Sequence, residues 1–141
     1  MSRQRLLSST FALILAAGLG LVAAAPASAA YGPCNTYDPR EGNIGVPYSS
    51  TNGTNSCYLV QGNQGAAVRY LQDSLKGCYG QAIAVDGIFG AGTRAALVAV
   101  QKRLGLTADG EYGPRTHNAM QFRGYSNGSG APFCSTARFA A

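Results

Sequence analysis

The chain of 141 residues has no tryptophan, one histidine and six Asp and Glu side chains. Each shortage removes a kind of chemistry. With His117 as the lone imidazole and no Cys-x-x-Cys pair, a zinc site lacks its usual ligands, so no metal and no cofactor is expected. Glycoside hydrolysis needs two carboxylates flanking the scissile bond. Here Asp86 and Asp109 read as turn residues, Asp73 falls on the polar side of a helix, and Asp38 and Glu41 lie in an arm without periodicity, leaving Glu111 with no partner. There is no Gly-x-Ser-x-Gly elbow, and cysteines consumed in disulfides cannot act as nucleophiles. A non-enzymatic protein is expected. The 11 Lys and Arg are spread along the chain rather than gathered in a stripe, which argues against a nucleic-acid partner.

What is present begins with a leader. Arg3 and Arg5 precede an apolar run from Leu6 to Ala25, and Ala27-Ser28-Ala29 supplies small residues for cleavage. Residues 1–30 therefore read as a secretory signal peptide rather than an anchor, with no membrane association after cleavage. Cys34 stands behind Tyr31-Gly32-Pro33, too far from the run for lipid attachment, so a released, extracellular product is expected. The mature part keeps nine basic and six acidic side chains, a net +3 compatible with an anionic partner without demanding one.

Cys34, Cys57, Cys78 and Cys134 all lie in the mature part, an even count that predicts two disulfides in a secreted chain. Three pairings are possible. The preferred one joins Cys57 to Cys78 around a helix and Cys34 to Cys134 across the ends.

Residues 31–56 are rich in Gly, Pro, Asn, Ser and Thr and read as an irregular arm; residues 125–141 read as a flexible tail. Between them, residues 57–124 carry three helical signals. Val68, Leu71 and Leu75 make an apolar stripe over 65–76, with Gly77 placed to cap it. Ala96, Leu97, Val100 and Leu104 do the same over 91–104, with Lys102 and Arg103 in the last turn and Gly105 after it. A shorter helix is predicted from Pro114, proline suiting the first helical position, to about Phe122. Its inner face would be Ala119, Met120 and Phe122.

The last two helices follow two copies of one octapeptide. Asp86-Gly87-Ile88-Phe89-Gly90-Ala91-Gly92-Thr93 returns as Asp109-Gly110-Glu111-Tyr112-Gly113-Pro114-Arg115-Thr116. Asp-Gly makes a tight turn because glycine tolerates positive φ. The aromatic residue can plug the space under the next helix, and the threonine can bond a backbone group in its first turn. Gln72 and Gln101 recur near these units, each read as a buried amide tying helix to turn.

Gly62-x-x-Gly65-x-x-Val68-x-x-Leu71-Gln72, Val85-Asp86-Gly87-Ile88-Phe89-Gly90-x-x-Thr93-x-x-Ala96-Leu97, and Gly105-Leu106-x-x-Asp109-Gly110-x-x-Gly113-Pro114-x-Thr116 together resemble the peptidoglycan-binding-like domain. The resemblance spans about Cys57 to Gly124. It implies a mainly α fold: a compact three-helix module with two Asp-Gly turn loops, here between irregular disulfide-linked flanks. It also implies attachment to bacterial cell wall. Val100, His117 and Met120 depart from the family pattern of Phe, Trp and Leu, which alters the aromatic surface.

Wall polymer offers carboxylates, amides and sugar rings, for which bidentate arginine and flat aromatic faces are suited. The candidate binding residues are Arg69, Tyr70, Arg94, Tyr112 and Arg115, with the alternative that Tyr112 is core like Phe89. Tyr31, Tyr37, Tyr48, Tyr58, Tyr79 and Tyr125 could widen the platform. His117 is expected at the surface or half-buried. The expected function is a monomeric, secreted, wall-associated module that binds peptidoglycan through stem peptide or glycan. The alternative is a module of the same fold that binds another secreted wall protein, and the third reading is a minimal wall hydrolase.

Overall fold

A computed structural model describes residues 31–39 and 43–137. The leader expected over residues 1–30 lies outside the described residues, as do Arg40 and Glu41. Three helices, α1 (Ala66–Tyr79), α2 (Ala91–Arg103) and α3 (Pro114–Ala119), carry the module. Two antiparallel hairpins accompany them, β1 (Thr36–Asp38) with β2 (Val46–Tyr48), and β3 (Gln121–Tyr125) with β4 (Pro132–Thr136). The expectation of irregular flanks and a flexible tail is corrected: both ends fold back as strands. No described helix is long and apolar enough to cross a membrane.

α1 is the hub, in contact with α2 and with all four strands. Ala67, Val68, Leu71 and Leu75 are buried along one face. The helix does not stop at Gly77 but runs on to Tyr79, and Gly80 at φ 68° ends it, with Gln81 N–H donating to Leu75 O at 3.1 Å. A mid-helix glycine costs only about 1 kcal/mol. Here its missing side chain makes room, because a Cβ at Gly77 would sit 2.4 Å from Arg123. The extra turn also brings Tyr79 Oη to the N–H of Gln121 at 2.6 Å. α2 ends one residue earlier than the apolar stripe suggests, within the ordinary fraying of helix ends.

α3 is shorter than predicted. Met120 turns extended (ψ 152°), and Phe122 is buried from strand β3 rather than from a helix. Met120, Phe122 and Gly124 point inward at a spacing of two. Pairing with β4 favours that period over the helical one.

The disulfides join Cys34 to Cys57 and Cys78 to Cys134, which overturns the preferred pairing. Cys57 sits before α1 and Cys78 near its far end, and a helix of this length separates its ends by about 20 Å. Cys34 lies instead beside Cys57, because Cys34 N–H donates to Tyr58 O and Tyr58 N–H to Gly32 O, both at 2.9 Å. The β3–β4 register, Arg123 opposite Cys134, carries the other cysteine across to α1.

The core joins all these layers: Leu59, Val68, Leu71, Leu75, Phe89, Leu97, Tyr112, Met120 and Phe122 are fully buried together.

Candidate functional site

Each octapeptide copy is built around a glutamine. Gln72 Nε2 donates to Asp86 Oδ1, Ile88 O and Thr93 Oγ1, each at 2.9 Å, and its Oε1 accepts from Gly87 N–H at 2.8 Å. Gln101 repeats the set with Asp109 Oδ1, Glu111 O and Thr116 Oγ1 at 2.8, 2.9 and 3.2 Å, and with Gly110 N–H at 2.8 Å. Gly87 and Gly110 hold φ of 77° and 73°, the left-handed region where glycine is favoured. The Ile88 N–H, and after it the Gln72 amide, holds the Asp86 carboxyl below the usual carboxylate range. Two of the carboxylates are thereby spent on turns. Asp73 is engaged as well, 3.6 Å from Arg123 Nη1 and accepting from Tyr125 Oη at 3.3 Å. Among the described residues, no three His, Cys, Asp or Glu side chains are grouped to hold a metal ion.

The aromatic residues of the two copies both face inward. Phe89 and Tyr112 are at most 1% exposed, so Tyr112 is core and leaves the set of candidate ligand contacts. Its phenol meets His117 Nδ1 at 2.8 Å. His117 is buried too, its ring packed beside Phe122, which corrects the expected surface position. Burial lowers the His117 pKa to about 4 and raises that of Tyr112 well above its ordinary value. Neither group is presented to a ligand.

The remaining candidates separate into three places. Arg69 and Tyr70 line a groove of ≈ 760 Å³ between the start of α1 and the turn at Asp86, Gly87 and Ile88. Tyr37 and Tyr125, brought in by β1 and β3, close its other side. The Tyr37 and Tyr70 rings lie 4.1 Å apart, and Arg123 sits 5.5 Å over the Tyr125 ring. Burial, and then the hydrogen bond to Tyr37, raises the Tyr70 pKa, so the phenol stays neutral and able to donate. No side chain caps the N-terminus of α1, and Gly65 and Ala66 at that end line the groove.

Arg115 is elsewhere, in a smaller groove of ≈ 380 Å³ with Tyr31, Tyr58 and Glu111. Arg94 lines neither groove; its Nη2 donates to Asp109 O at 2.9 Å and so braces the second turn. In the sequence Tyr37 and Tyr125 read only as flanking aromatics, Ile88 as part of the octapeptide and Asp73 as a carboxylate on the polar side of a helix. An exposed isoleucine in a turn, Ile88 at 50%, is the signal that was there to find.

This is the arrangement of a binding module. Residues 64–120 match the family model described as "Putative peptidoglycan binding domain". A zinc D-Ala-D-Ala carboxypeptidase of Streptomyces albus G is 37% identical over 110 residues, covering 73% of this chain and 40% of the enzyme. The chain thus spans about two-fifths of that relative, and the shared part is its binding region. Among solved structures, the Burkholderia AP3 phage endolysin is 44% identical over 42% of this chain and 22% of its own, with a TM-score of 0.40. The N-terminal domain of SleB is 38% identical over 43% of this chain and 84% of that domain, with a TM-score of 0.42.

Proposed function

We propose that the protein is a secreted, non-catalytic module that holds peptidoglycan in the groove between the start of α1 and the first Asp-Gly turn. The observation that carries the reading is the convergence there of Tyr37, Ile88 and Tyr125, three of the four large apolar or aromatic side chains exposed among the described residues. Solvated apolar surface costs free energy, and a contiguous patch of it marks an interaction site. Aromatic faces suit sugar rings. Arg69 suits a stem carboxylate, and a helix N-terminus adds backbone donors for the same charge.

In this reading residues 1–30 are the leader and residues 57–124 the binding unit. The arm (31–56) and tail (125–141) are not passive, because they supply Tyr37 and Tyr125 to the groove wall. The carboxylates spent on turns and ion pairs support a binding rather than a hydrolytic role. The module would act as a monomer at the cell wall, retaining itself or recruiting other wall proteins.

Sedimentation with polymer-stripped peptidoglycan across a salt series tests this. Retention that survives salt, without release of soluble fragments, is the expected result, since adhesion by charge alone fades as screening grows. Arg69→Ala with Tyr125→Ala should weaken it at unchanged melting temperature. Failure to pellet at any salt would overturn the reading, and fragment release would overturn its non-catalytic part.

A further inference from the structure

The fourth of these exposed apolar or aromatic side chains, Tyr31 at 43%, stands in the other groove. All four therefore sit in one of two depressions, and none is scattered elsewhere among the described residues. In this second groove Tyr31 and Tyr58 hold their rings 5.8 Å apart at 39°, opening as a shallow wedge. Tyr58 lies over Gly113, where a Cβ would come within 2.4 Å of its ring, so the backbone of the second octapeptide forms the floor. Arg115 is exposed, and Asp109 and Glu111 line the same groove. Burial, and after it the neighbouring Tyr31, raises the Tyr58 pKa, which keeps its phenol a neutral donor.

One short segment, turning at Gln61 and Gly62, connects the two grooves. Leu59 exchanges both backbone hydrogen bonds with Tyr112 at 2.9 and 3.0 Å beside the second turn. Five residues later Gln64 pairs with Ile88 beside the first turn. Tyr58 in one groove and Gln64 in the other are six residues apart, which limits their separation to about 20 Å. A polymer with a short repeat can touch both.

We propose that the second groove is a second subsite for the same wall polymer, so that the module is bivalent along a single strand. A pyranose ring would lie in the wedge of Tyr31 and Tyr58, its hydroxyls donating to Glu111 and to Asp109 Oδ2, the oxygen the turn leaves open, while Arg115 takes a carboxylate of the attached stem. This rests on the peptidoglycan reading of the first groove. Two weak subsites joined by one scaffold hold a polymer far more tightly than either alone, because the second contact forms at high effective concentration.

The test pairs two probes of the full chain. The first is soluble glycan–peptide fragments of one repeat, titrated while backbone amide shifts are followed. The second is intact insoluble peptidoglycan, with retention measured for wild type, Tyr31→Ala/Arg115→Ala, and Tyr125→Ala. Tyr31, Arg115 and Tyr125 are exposed and their loss leaves the core intact, which melting curves verify. Bivalency predicts shifts around both Ile88 and Gly113 with the short fragment. It also predicts at least a roughly tenfold loss of retention on the polymer for Tyr31→Ala/Arg115→Ala. The same variant should leave fragment-induced shifts at Ile88 unchanged. Shifts at Ile88 alone, with wild-type retention of Tyr31→Ala/Arg115→Ala, would overturn the second subsite and leave the first standing. A wild-type chain that ignores both probes would overturn the two together.

Discussion

The two octapeptide copies agree where they face inward and differ where they face out. The Asp, Gly, aromatic, Gly and Thr positions recur, and in each copy the Asp carboxylate, the first Gly N–H and the Thr hydroxyl are tied to a glutamine through bonds that match atom for atom. Outward, Ile88 stands against Glu111, Ala91 against Pro114 and Gly92 against Arg115. The inward set must satisfy buried backbone groups, which only certain side chains at certain angles can do. The outward set meets solvent or ligand and is free to diverge. Shared positions therefore report the frame, and differing positions report what each groove binds.

The copies also differ in the polarity of their buried aromatic residues. Phe89 has no polar atom to satisfy, whereas Tyr112 carries a buried hydroxyl and needs His117 as its partner. The second copy consequently holds a titratable pair inside the core, and the first does not.

This comparison can be broken in four places. The largest effect is expected for Phe89→Ala, which should cost about 3–5 kcal/mol by emptying a core site that cannot collapse fully. Urea unfolding measures it, and a loss below about 1 kcal/mol would mean Phe89 does not plug the first turn. Next, Gln72→Ala and Gln101→Ala should each cost about 3 kcal/mol, since each leaves several turn groups without their partner. Similar losses would establish the two frames as equivalent, and clearly unequal ones would deny it.

Third comes a pH dependence confined to the second copy. The His117 pKa falls from an ordinary 6.5 to about 4 in the folded chain, because burial disfavours the charged ring. The unfolded chain therefore takes up a proton as pH drops below about 6.5, while the folded chain stays neutral until about 4. Stability from this group is full above pH 6.5, falls across that window by on the order of 3 kcal/mol, and is flat below it. Melting curves from pH 4 to 7 should show the slope, and His117→Gln should remove that part of it. The smallest effect is on stability when the outward residues are exchanged: Ile88→Glu with Glu111→Ile should change it by no more than about 0.5 kcal/mol. Wall retention should fall nonetheless, separating frame from surface.

Much of the module was legible in the chain. The stripes at Val68, Leu71, Leu75 and at Ala96, Leu97, Val100 reported helices, because a 3.6-residue period is a local property. The Asp-Gly pairs reported glycines at positive φ for the same reason. The flanks were not legible. Strands of three and five residues have too little pattern of their own, and they form only because α1 and the disulfides give them something to pair against. Phe122 shows the conflict well: three residues after Ala119 it fits a helix, yet two residues after Met120 it fits a strand. The β4 partner decides.

What the sequence by itself determined is therefore everything carried by short-range periodicity and glycine chemistry: three helices, two repeated turns and the positions that must face inward. The tertiary structure alone decided which cysteines meet, that Tyr112 and His117 share one buried hydrogen bond, and that Tyr37, Tyr70, Ile88 and Tyr125 stand around one groove. Those four residues come from four separate segments up to 88 positions apart. No local rule relates such positions; the packing of both hairpins onto α1 does.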